Sequence, residues 1–404
     1  MSGVIIRNQY LDRLIKERDN ELIKIITGLR RSGKTYLLMM YKNYLLSNGV
    51  SENQIVYINF ESFSNEHLLD NTELYNYVIK LYDKKKLYLL FDEVQLVNEW
   101  QKVVNSFRID IEADIYITGS NASILSGELA TLIAGRYTEI NVFPLSFKEF
   151  INFRKVNIDD KVLVNKEFIE YFEFGGMPVT LGLKDEVSKY DYLSSVYDSI
   201  ILRDISSREG GAKNTDTFRK IALFLMDSIS SEISINKLEN RLKDNKIGVG
   251  RATLNNYLKL MEEAFIFYNV KKYDIKGSNQ FGTNGKYYIS DIGLWNSQIK
   301  KTKSDLGNKL ENLVFIELMR RKYDIQVGSI NSKEIDFVAT RNNERKYIQV
   351  AYEIPKKSER EFANLLDIKD NYEKILITYS NSEDNEYKGI KIINIIDWLL
   401  EDVL

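Results

Sequence analysis

The first 150 residues alternate between short apolar runs and segments in which apolar residues recur with helical spacing. The runs are rich in β-branched and aromatic residues and end at polar side chains, which is typical of buried strands. Because strands that alternate with helices form largely parallel sheets, this part of the chain predicts an α/β fold. The predicted strands are residues 21–27, 54–60, 87–93, 114–121 and 137–143.

Three further regions are predicted after Pro144. Residues 150–205 have mainly helical spacing, interrupted by a Gly-Gly-Met-Pro turn. Residues 210–300 predict three helices and then two strands, and the segment after Leu306 predicts a helix and several strands. Since 404 residues are too many for one core, we expect several domains. Their predicted bounds are 1–150, 151–208, 209–300 and 301–404.

Residues 28–35 lie between the first of these strands and an apolar helix, and they match the pattern G-x-x-x-x-G-K-[ST]. Gly28 and Gly33 let the backbone bend so that its N–H groups point at phosphate oxygens. The N-terminus of the helix adds its dipole to this anion site. Lys34 is expected to reach the β- and γ-phosphates, and the Thr35 hydroxyl to ligate Mg²⁺.

Two arginines and a serine lie inside the loop. We assign Arg31 and Ser32 to cofactor binding together with the residues above. Arg30 and Arg31 can contact phosphate, a neighbouring subunit or solvent, and the sequence does not decide between these alternatives.

Asp92 and Glu93 end the strand 87–93, which places both carboxylates at the carboxyl edge of the sheet beside the loop. Asp92 is suited to hold Mg²⁺, and Glu93 is then placed to polarise the attacking water. A glutamate next to the aspartate that is expected to hold Mg²⁺ favours an ATPase over a kinase or a GTPase. The extra strand at 55–60, between the loop strand and the strand 87–93, favours the same class. At the end of the next strand, Ser120 or Asn121 is expected to contact the γ-phosphate or the water, and we assign Asn121 to the catalytic set.

Arg136 is the candidate for an arginine finger, a residue that neutralises charge on the transferring phosphoryl group. Its alternative role is a structural ion pair. If Arg136 acts on a neighbouring subunit, the active form is a homo-oligomer; the sequence leaves action in cis or in trans open.

Composition narrows the chemistry further. The absence of Cys excludes disulfides and Cys-based zinc sites, and the single histidine, His67, leaves no two-histidine metal site. Carboxylates, Lys, Arg, hydroxyls and Mg²⁺ remain. There is no uninterrupted apolar run of about 18 residues and no secretory signal layout, so we expect a cytoplasmic protein without a membrane partner.

Positive charge is concentrated in one part of the chain. The net charge is −2, but residues 236–286 hold ten Lys/Arg against five Asp/Glu, a local balance of +5. The rest of the chain therefore carries −7. A basic segment in a mildly acidic protein indicates a binding surface.

Taken together, these motifs resemble the prokaryotic AAA-type ATPases that carry a C-terminal domain of unknown function. The resemblance covers essentially the whole chain and implies ATP binding and hydrolysis. The residues that carry it are 27–35, 60–61, 91–95, Trp100, 118–120, 134–137, 144–150, 175–178, 204–205, 287–294 and 334–337.

Residues 210–300 resemble a winged helix-turn-helix. In the helical segment 251–261, apolar residues share one face and leave Arg251, Asn255 and Lys259 exposed, which are residue types that contact phosphates and base edges. Lys271, Lys272 and Lys276 fall on the presumed wing. Duplex DNA is the expected partner; the alternative is a protein-interaction or packing module.

The last hundred residues resemble the restriction-endonuclease fold, which needs carboxylates for Mg²⁺ and a lysine that positions water. Glu311 and Asp336 match two of the expected positions, but Gln349 stands where an acid is expected and Ala351 where the lysine is expected. We therefore expect a degenerate nuclease site without activity. The alternative is a lysine from elsewhere, such as Lys333 or Lys346.

The sequence thus predicts an α/β P-loop ATPase of the AAA type, followed by a helical lid, a winged-helix module and a nuclease-like α/β domain. We expect it to bind ATP and Mg²⁺, to hydrolyse ATP, and to couple hydrolysis to a partner. The alternatives are an ATP-gated nuclease and a signalling or scaffold switch that recruits a protein.

Overall fold

The computed structural model describes residues 7–125, 135–206, 211–277, 279–299, 306–331, 333–353, 360–380, 382 and 384–401. These residues form two units. The first comprises the chain up to Pro144 with Glu263–Phe265, and the second comprises Leu145–Glu262 with the chain from Ile266 onward.

The first unit contains a five-stranded sheet in which every strand pair is parallel. The strand order is β2-β3-β4-β1-β5, so β4 and not β2 lies between β1 and β3. This confirms the predicted α/β class. Its elements are α1 (Asn8–Lys16), β1 (Ile23–Thr27), α2 (Lys34–Ser47), β2 (Ile55–Asn59), α3 (Asn71–Leu81), β3 (Leu87–Asp92), α4 (Trp100–Asp110), β4 (Ala113–Thr118) and β5 (Tyr137–Asn141).

The strands β1, β3 and β4 are buried on both faces of the sheet. Successive side chains along each strand point to opposite sides and therefore enter different cores. Ile25 packs into the cluster that includes residues of α3 and α4. Its neighbour Ile26 packs into the cluster that includes residues of α1 and α2. The continuous apolar runs of the sequence therefore fill two cores, and the polar residues that end them gather at one edge.

The second unit begins with helices. Ser146 caps the first of them in a capping box with Glu149, which satisfies two backbone N–H groups at the helix start. A π-helical segment, Ile200–Ser206, follows the third helix. The helices are α5 (Phe147–Arg154), α6 (Lys161–Phe174), α7 (Glu186–Ser199), α8 (Thr215–Asp227), α9 (Ile235–Asp244), α10 (Arg251–Glu263), α11 (Ile292–Gln298), α12 (Leu306–Arg320), α13 (Arg360–Leu366) and α14 (Ile395–Leu400).

A nine-stranded mixed sheet forms the rest of the second unit, in the order β13-β14-β12-β11-β10-β9-β7-β8-β6. β6 and β7 both pair with β8 in antiparallel fashion, and β7 pairs with β9 in parallel. The strands are β6 (Glu232–Ile233), β7 (Phe267–Asp274), β8 (Asn279–Ile289), β9 (Asp324–Ile330), β10 (Lys333–Arg341), β11 (Glu344–Ala351), β12 (Glu373–Thr378), β13 (Glu386–Tyr387) and β14 (Ile390–Asn394).

This sheet crosses one of the predicted domain boundaries. The boundaries at 208/209 and 300/301 themselves lie outside the described residues. However, β7 and β8 before residue 300 and β9–β14 after it belong to one sheet, so that boundary does not separate two sheets.

Asp291 joins two motifs that are far apart in the sequence. Its side chain caps α11 and accepts a hydrogen bond of 2.7 Å from the backbone N of Gly176, in the turn after α6. The predicted Gly-Gly-Met-Pro turn is thus held by the segment that follows β8.

None of the helices in the described ranges combines the length and the apolarity that crossing a membrane requires.

Candidate functional site

The predicted phosphate-binding loop connects β1 to α2, as the sequence indicated. Its backbone adopts positive φ at Gly28 (+135°), Arg31 (+67°) and Gly33 (+104°). The Lys34 side chain folds back over the loop and donates hydrogen bonds to the carbonyl oxygens of Gly28 and Leu29, at 3.0 and 3.2 Å. The loop is therefore closed by its own lysine.

Polar groups of the loop differ in their surroundings. Ser32 is fully buried, and its Oγ has no hydrogen-bond partner among the described residues. Its carbonyl oxygen accepts a hydrogen bond of 2.9 Å from Arg7. Arg30 forms an ion pair with Glu61, at 2.7 Å, whereas Arg31 is exposed. A buried hydroxyl without a partner is costly, so Ser32 fits a loop that receives a polar ligand.

Asp92 connects the loop to the end of β3. Its carboxylate accepts hydrogen bonds from Thr35 Oγ1, at 2.8 Å, and from Thr118 Oγ1 at the end of β4, at 2.7 Å. Burial raises the pKa of Asp92 above its ordinary value, although both hydrogen bonds act in the opposite direction. The two residues predicted to hold Mg²⁺, Thr35 and Asp92, are thus in direct contact.

Glu93 follows Asp92 with φ of +58°, which turns its side chain out of the strand register. Its carboxylate accepts hydrogen bonds from Ser120 Oγ, at 2.7 Å, and from Gln95 Nε2, at 2.5 Å. Burial alone raises the pKa of Glu93, but Lys34 and these hydrogen bonds outweigh it and hold the pKa below its ordinary value. Glu93 is therefore an oriented carboxylate at neutral pH.

The predicted polar residues after β4 have different positions. Ser120 contacts Glu93, and Asn121 is buried next to it in the chain. Gln95 and Thr118 lie in the segments 91–95 and 118–120 that carry the family resemblance, but the sequence assigned neither of them a role in the site. The Asp-Glu-Val-Gln run made Gln95 a visible candidate, whereas the Thr118 contact depends on the strand order.

Arg136 lies at the start of β5 and is exposed; its carbonyl oxygen accepts a hydrogen bond from Ile23 N at 2.9 Å. The preceding segment 126–134 lies outside the described residues. Its role as a finger stays a prediction.

The residues predicted to contact DNA lie on two elements of the second unit. Arg251, Asn255 and Lys259 are exposed on α10, while Leu254, Tyr257, Leu258 and Met261 are buried, which confirms the predicted amphipathic helix. Lys271 and Lys272 lie on β7. Lys271 is exposed, and Lys272 forms an ion pair with Glu232 at 2.6 Å.

The residues assigned to the degenerate nuclease site lie on α12, β10 and β11. Glu311 and Asp336 share one cluster with Glu334 and the ammonium group of Lys286 on β8. Gln349, on β11, is partly buried, and its Oε1 has no partner in the described part of the chain.

The sequence left open that a lysine from elsewhere, such as Lys333 or Lys346, takes the place of the missing one, and in the structure these two lysines pair with other acids. Lys333 pairs with Asp367 at 2.8 Å, and Lys346 pairs with Glu373 at 3.0 Å. The lysine that reaches the cluster is Lys286, 65 residues before Ala351, and only the pairing of distant strands brings it there. Among the described residues, no group of three or more His, Cys, Asp or Glu side chains is arranged to hold a metal ion.

Comparison with known proteins agrees with this architecture. The AAA domain family matches residues 20–151, and the domain of unknown function DUF8612 matches residues 165–305. An uncharacterized protein of Haemophilus influenzae is 45% identical over 401 residues, covering 99% of each chain. The uncharacterized protein MJ1544 of Methanocaldococcus jannaschii is 32% identical, covering 94% of this chain and 88% of its own.

The chain belongs to a family of AAA-type P-loop ATPases found in bacteria and archaea. This confirms the resemblance that the sequence motifs indicated. An AAA domain implies a nucleotide ligand, and in P-loop ATPases the nucleotide typically binds with Mg²⁺. The buried Ser32 hydroxyl and the contact between Thr35 and Asp92 fit such a ligand.

Solved structures with weaker similarity include the Walker-type ATPase PABY2304 of Pyrococcus abyssi, 14% identical with a TM-score of 0.47 over 73% of this chain and 96% of that chain. The Aeropyrum pernix ORC1 protein, solved in complex with DNA, is 12% identical with a TM-score of 0.36 over 74% of this chain and 93% of that chain. Similarity at this level says nothing about substrate or partner.

Proposed function

We propose that this AAA-family protein is an Mg²⁺-dependent ATPase that converts ATP and water to ADP and phosphate. One observation carries the proposal: Thr35 of the loop donates to Asp92 while the adjacent Glu93 is held by Ser120 and Gln95. A phosphate loop, a metal-binding pair and an oriented carboxylate thus lie within one set of hydrogen bonds.

Each residue has a role that follows from its chemistry. The backbone N–H groups of residues 28–35 and the Lys34 ammonium bind the triphosphate. Thr35 and Asp92 would hold Mg²⁺, which would supply charge neutralisation for the triphosphate. Glu93 orients the attacking water, and Asn121, which follows β4, contacts the γ-phosphate or that water.

The proposal is tested by ATP hydrolysis and nucleotide binding in two variants. Glu93→Gln keeps the size of the side chain but removes its charge, so it should bind ATP with near-normal affinity and hydrolyse it about 10²–10⁴-fold more slowly. Lys34→Ala should lose ATP binding itself.

The matched control is Glu112→Gln, which removes an exposed carboxylate just before β4, at the opposite edge of the same sheet. It should leave both quantities unchanged. Hydrolysis by Glu93→Gln at the wild-type rate would disprove the assigned role of this glutamate.

Binding of duplex DNA by the second unit is a further proposed activity that the α8–β8 region favours. Three helices with strands in the order β6-β8-β7 have the arrangement typical of a winged helix. α10 exposes Arg251, Asn255 and Lys259. In helix-turn-helix proteins, such residues contact phosphates and base edges from a helix in the major groove.

The DNA proposal is tested by measuring the Kd for a short duplex as a function of salt. Replacement of Arg251, Asn255 and Lys259 by Ala should weaken binding and reduce the slope of log K against log salt by about 1 for each lost phosphate contact. The control, Lys166→Ala with Lys184→Ala, removes the same formal charge from exposed positions of α6 and of the segment before α7.

Equal affinity of the α10 variant and the wild type would refute DNA binding by this helix. ATPase rates with and without the duplex then test coupling: we expect DNA to change the rate in the wild type and not in the α10 variant. A rate that DNA leaves unchanged in both, although the wild type binds it, would count against coupling.

A further inference from the structure

Lys286 is 97% buried, and its ammonium group faces three carboxylates that come from two elements. The Nζ atom lies 2.7 Å from Glu334 Oε1, 2.9 Å from Glu311 Oε1 and 3.7 Å from Asp336 Oδ1. Glu334 and Asp336 belong to β10, Glu311 belongs to α12, and Lys286 belongs to β8. The ammonium group is therefore a cation enclosed by the acids of the nuclease-like region.

Two of these carboxylates are fixed by neighbouring donors. Glu311 Oε1 also accepts a hydrogen bond of 2.8 Å from the Tyr288 hydroxyl, and Asp336 Oδ2 accepts one of 2.8 Å from Val350 N. These donors fix the carboxylate oxygens in position. In metal sites, hydrogen bonds from neighbouring residues orient the metal ligands in the same way. The cluster is thus organised around the point that Lys286 occupies.

The charges explain why a cation is required there. A buried carboxylate without a counter-charge is strongly unfavourable, and removal of one partner from a buried ion pair leaves the other uncompensated. Carboxylate oxygens bind either an ammonium group or a hard divalent ion. In this chain the cation is covalently attached.

We infer that the Lys286 ammonium group takes the place of a divalent metal ion between Glu311, Glu334 and Asp336. The nuclease-like region then carries its own cation, binds no catalytic metal, and uses the cluster to hold β8 against α12 and β10. Loss of the lysine side chain should convert the cluster into a divalent-cation site.

The test uses the full-length, nucleotide-free protein and MnCl₂ as the probe, with thermal unfolding and Mn²⁺ stoichiometry by electron paramagnetic resonance as readouts. Lys286→Met keeps an unbranched side chain that is one atom shorter and removes the charge. We expect a lower Tm without metal, a gain of one bound Mn²⁺, and a rise in Tm of roughly 5–10 °C when Mn²⁺ is at about a hundred times its Kd.

Two further variants keep the result interpretable. Lys286→Met with Asp336→Asn should lose the additional Mn²⁺ and the rise in Tm. Lys272→Met, which removes a partly exposed ion pair from the neighbouring strand β7, should bind no more Mn²⁺ than the wild type. Mn²⁺ that binds elsewhere in the chain should bind equally to the wild type and to Asp336→Asn. The difference in stoichiometry between these two proteins therefore reports only on the cluster.

If Lys286→Met folds only when Mn²⁺ is present, the inference is also supported, provided that Mn²⁺ fails to restore folding of the double variant. It is overturned if the wild type binds an Mn²⁺ that Asp336→Asn loses, because the lysine then leaves room for the metal. It is also overturned if Mn²⁺ neither binds to Lys286→Met nor restores its folding.

Discussion

Gly28 is the residue of the loop whose replacement the backbone tolerates least. Its φ is +135°, and a Cβ at this position would lie 2.2 Å from the carbonyl oxygen of Val142. Gly28→Ala therefore forces both an unfavourable φ and a clash with backbone that cannot rotate away. We expect a loss of roughly 3 kcal/mol or more of stability, with loss of ATP binding. Chemical unfolding and nucleotide titration measure the two effects.

Gly49 provides the matched control, because its φ is +85° but a Cβ there would meet no atom within 4 Å. Gly49→Ala should cost only the conformational term, about 1 kcal/mol, and leave ATP binding intact. Equal effects of the two substitutions would show that φ alone, and not the approach to Val142, makes Gly28 necessary.

Local sequence was sufficient to identify residues whose partners lie a few positions away or at neighbouring strand ends. The loop from Gly28 to Thr35 and the pair Asp92-Glu93 are of this kind. Thr118 and Lys286 could not be assigned in the same way, because their roles depend on which strands pair. A threonine at a strand end and a lysine in a strand have no distinguishing pattern of their own.

At the scale of secondary-structure elements, α12, β8 and β10 are connected by the cluster around Lys286. Burial, together with the charge of Asp336, raises the pKa of Glu311 from 4.5 to about 8, although Lys286 and the Tyr288 hydroxyl act in the opposite direction. Between these two values the folded protein holds a proton on Glu311 that the unfolded chain has released. The contribution of Glu311 to stability therefore falls as pH rises from about 4.5 to 8.

We expect the free energy of unfolding to decrease across this pH range, with a contribution from Glu311 of at most about 1.4 kcal/mol per pH unit. Glu311→Gln should remove this contribution, because glutamine does not titrate. Glu386→Gln, an exposed position on β13 of the same sheet, should keep the wild-type slope. Denaturant unfolding at several pH values measures the slopes, and an unchanged slope in Glu311→Gln would contradict the assignment.

The elements themselves were easier to predict than their order. The apolar runs that predicted five strands in the first unit correspond to β1–β5, and the helix that begins at Arg251 was predicted with its buried face. The position of β4 between β1 and β3, and the parallel pairing of β7 with β9, were not predictable from local patterns. Strand order depends on packing between segments that are distant in the chain, which a hydrophobic pattern does not encode.

At the scale of the whole molecule, the open question is whether one chain completes its own ATPase site. In the described part of the first unit, the carboxylates and the lysine of the site are buried and held by partners within the same unit. Arg136, in contrast, is exposed at the start of β5. Tyr137 pairs with Ile23 at the start of β1, whereas the loop follows the end of β1, so Arg136 lies at the sheet edge opposite its own loop. An exposed arginine at that edge is suited to reach the nucleotide of a neighbouring subunit, so we propose that Arg136 acts in trans.

Mixing two inactive variants tests this proposal directly. Arg136→Ala keeps a complete loop but lacks the finger, and it should hydrolyse ATP about 10³-fold or more slowly. Lys34→Ala cannot bind ATP but retains Arg136. If the finger acts in trans, a mixture of the two should recover a substantial part of the wild-type rate, since one variant supplies the arginine to the site of the other. The wild-type rate per subunit should also fall on dilution. An inactive mixture of well-folded variants, with a wild-type rate independent of concentration, would contradict action in trans.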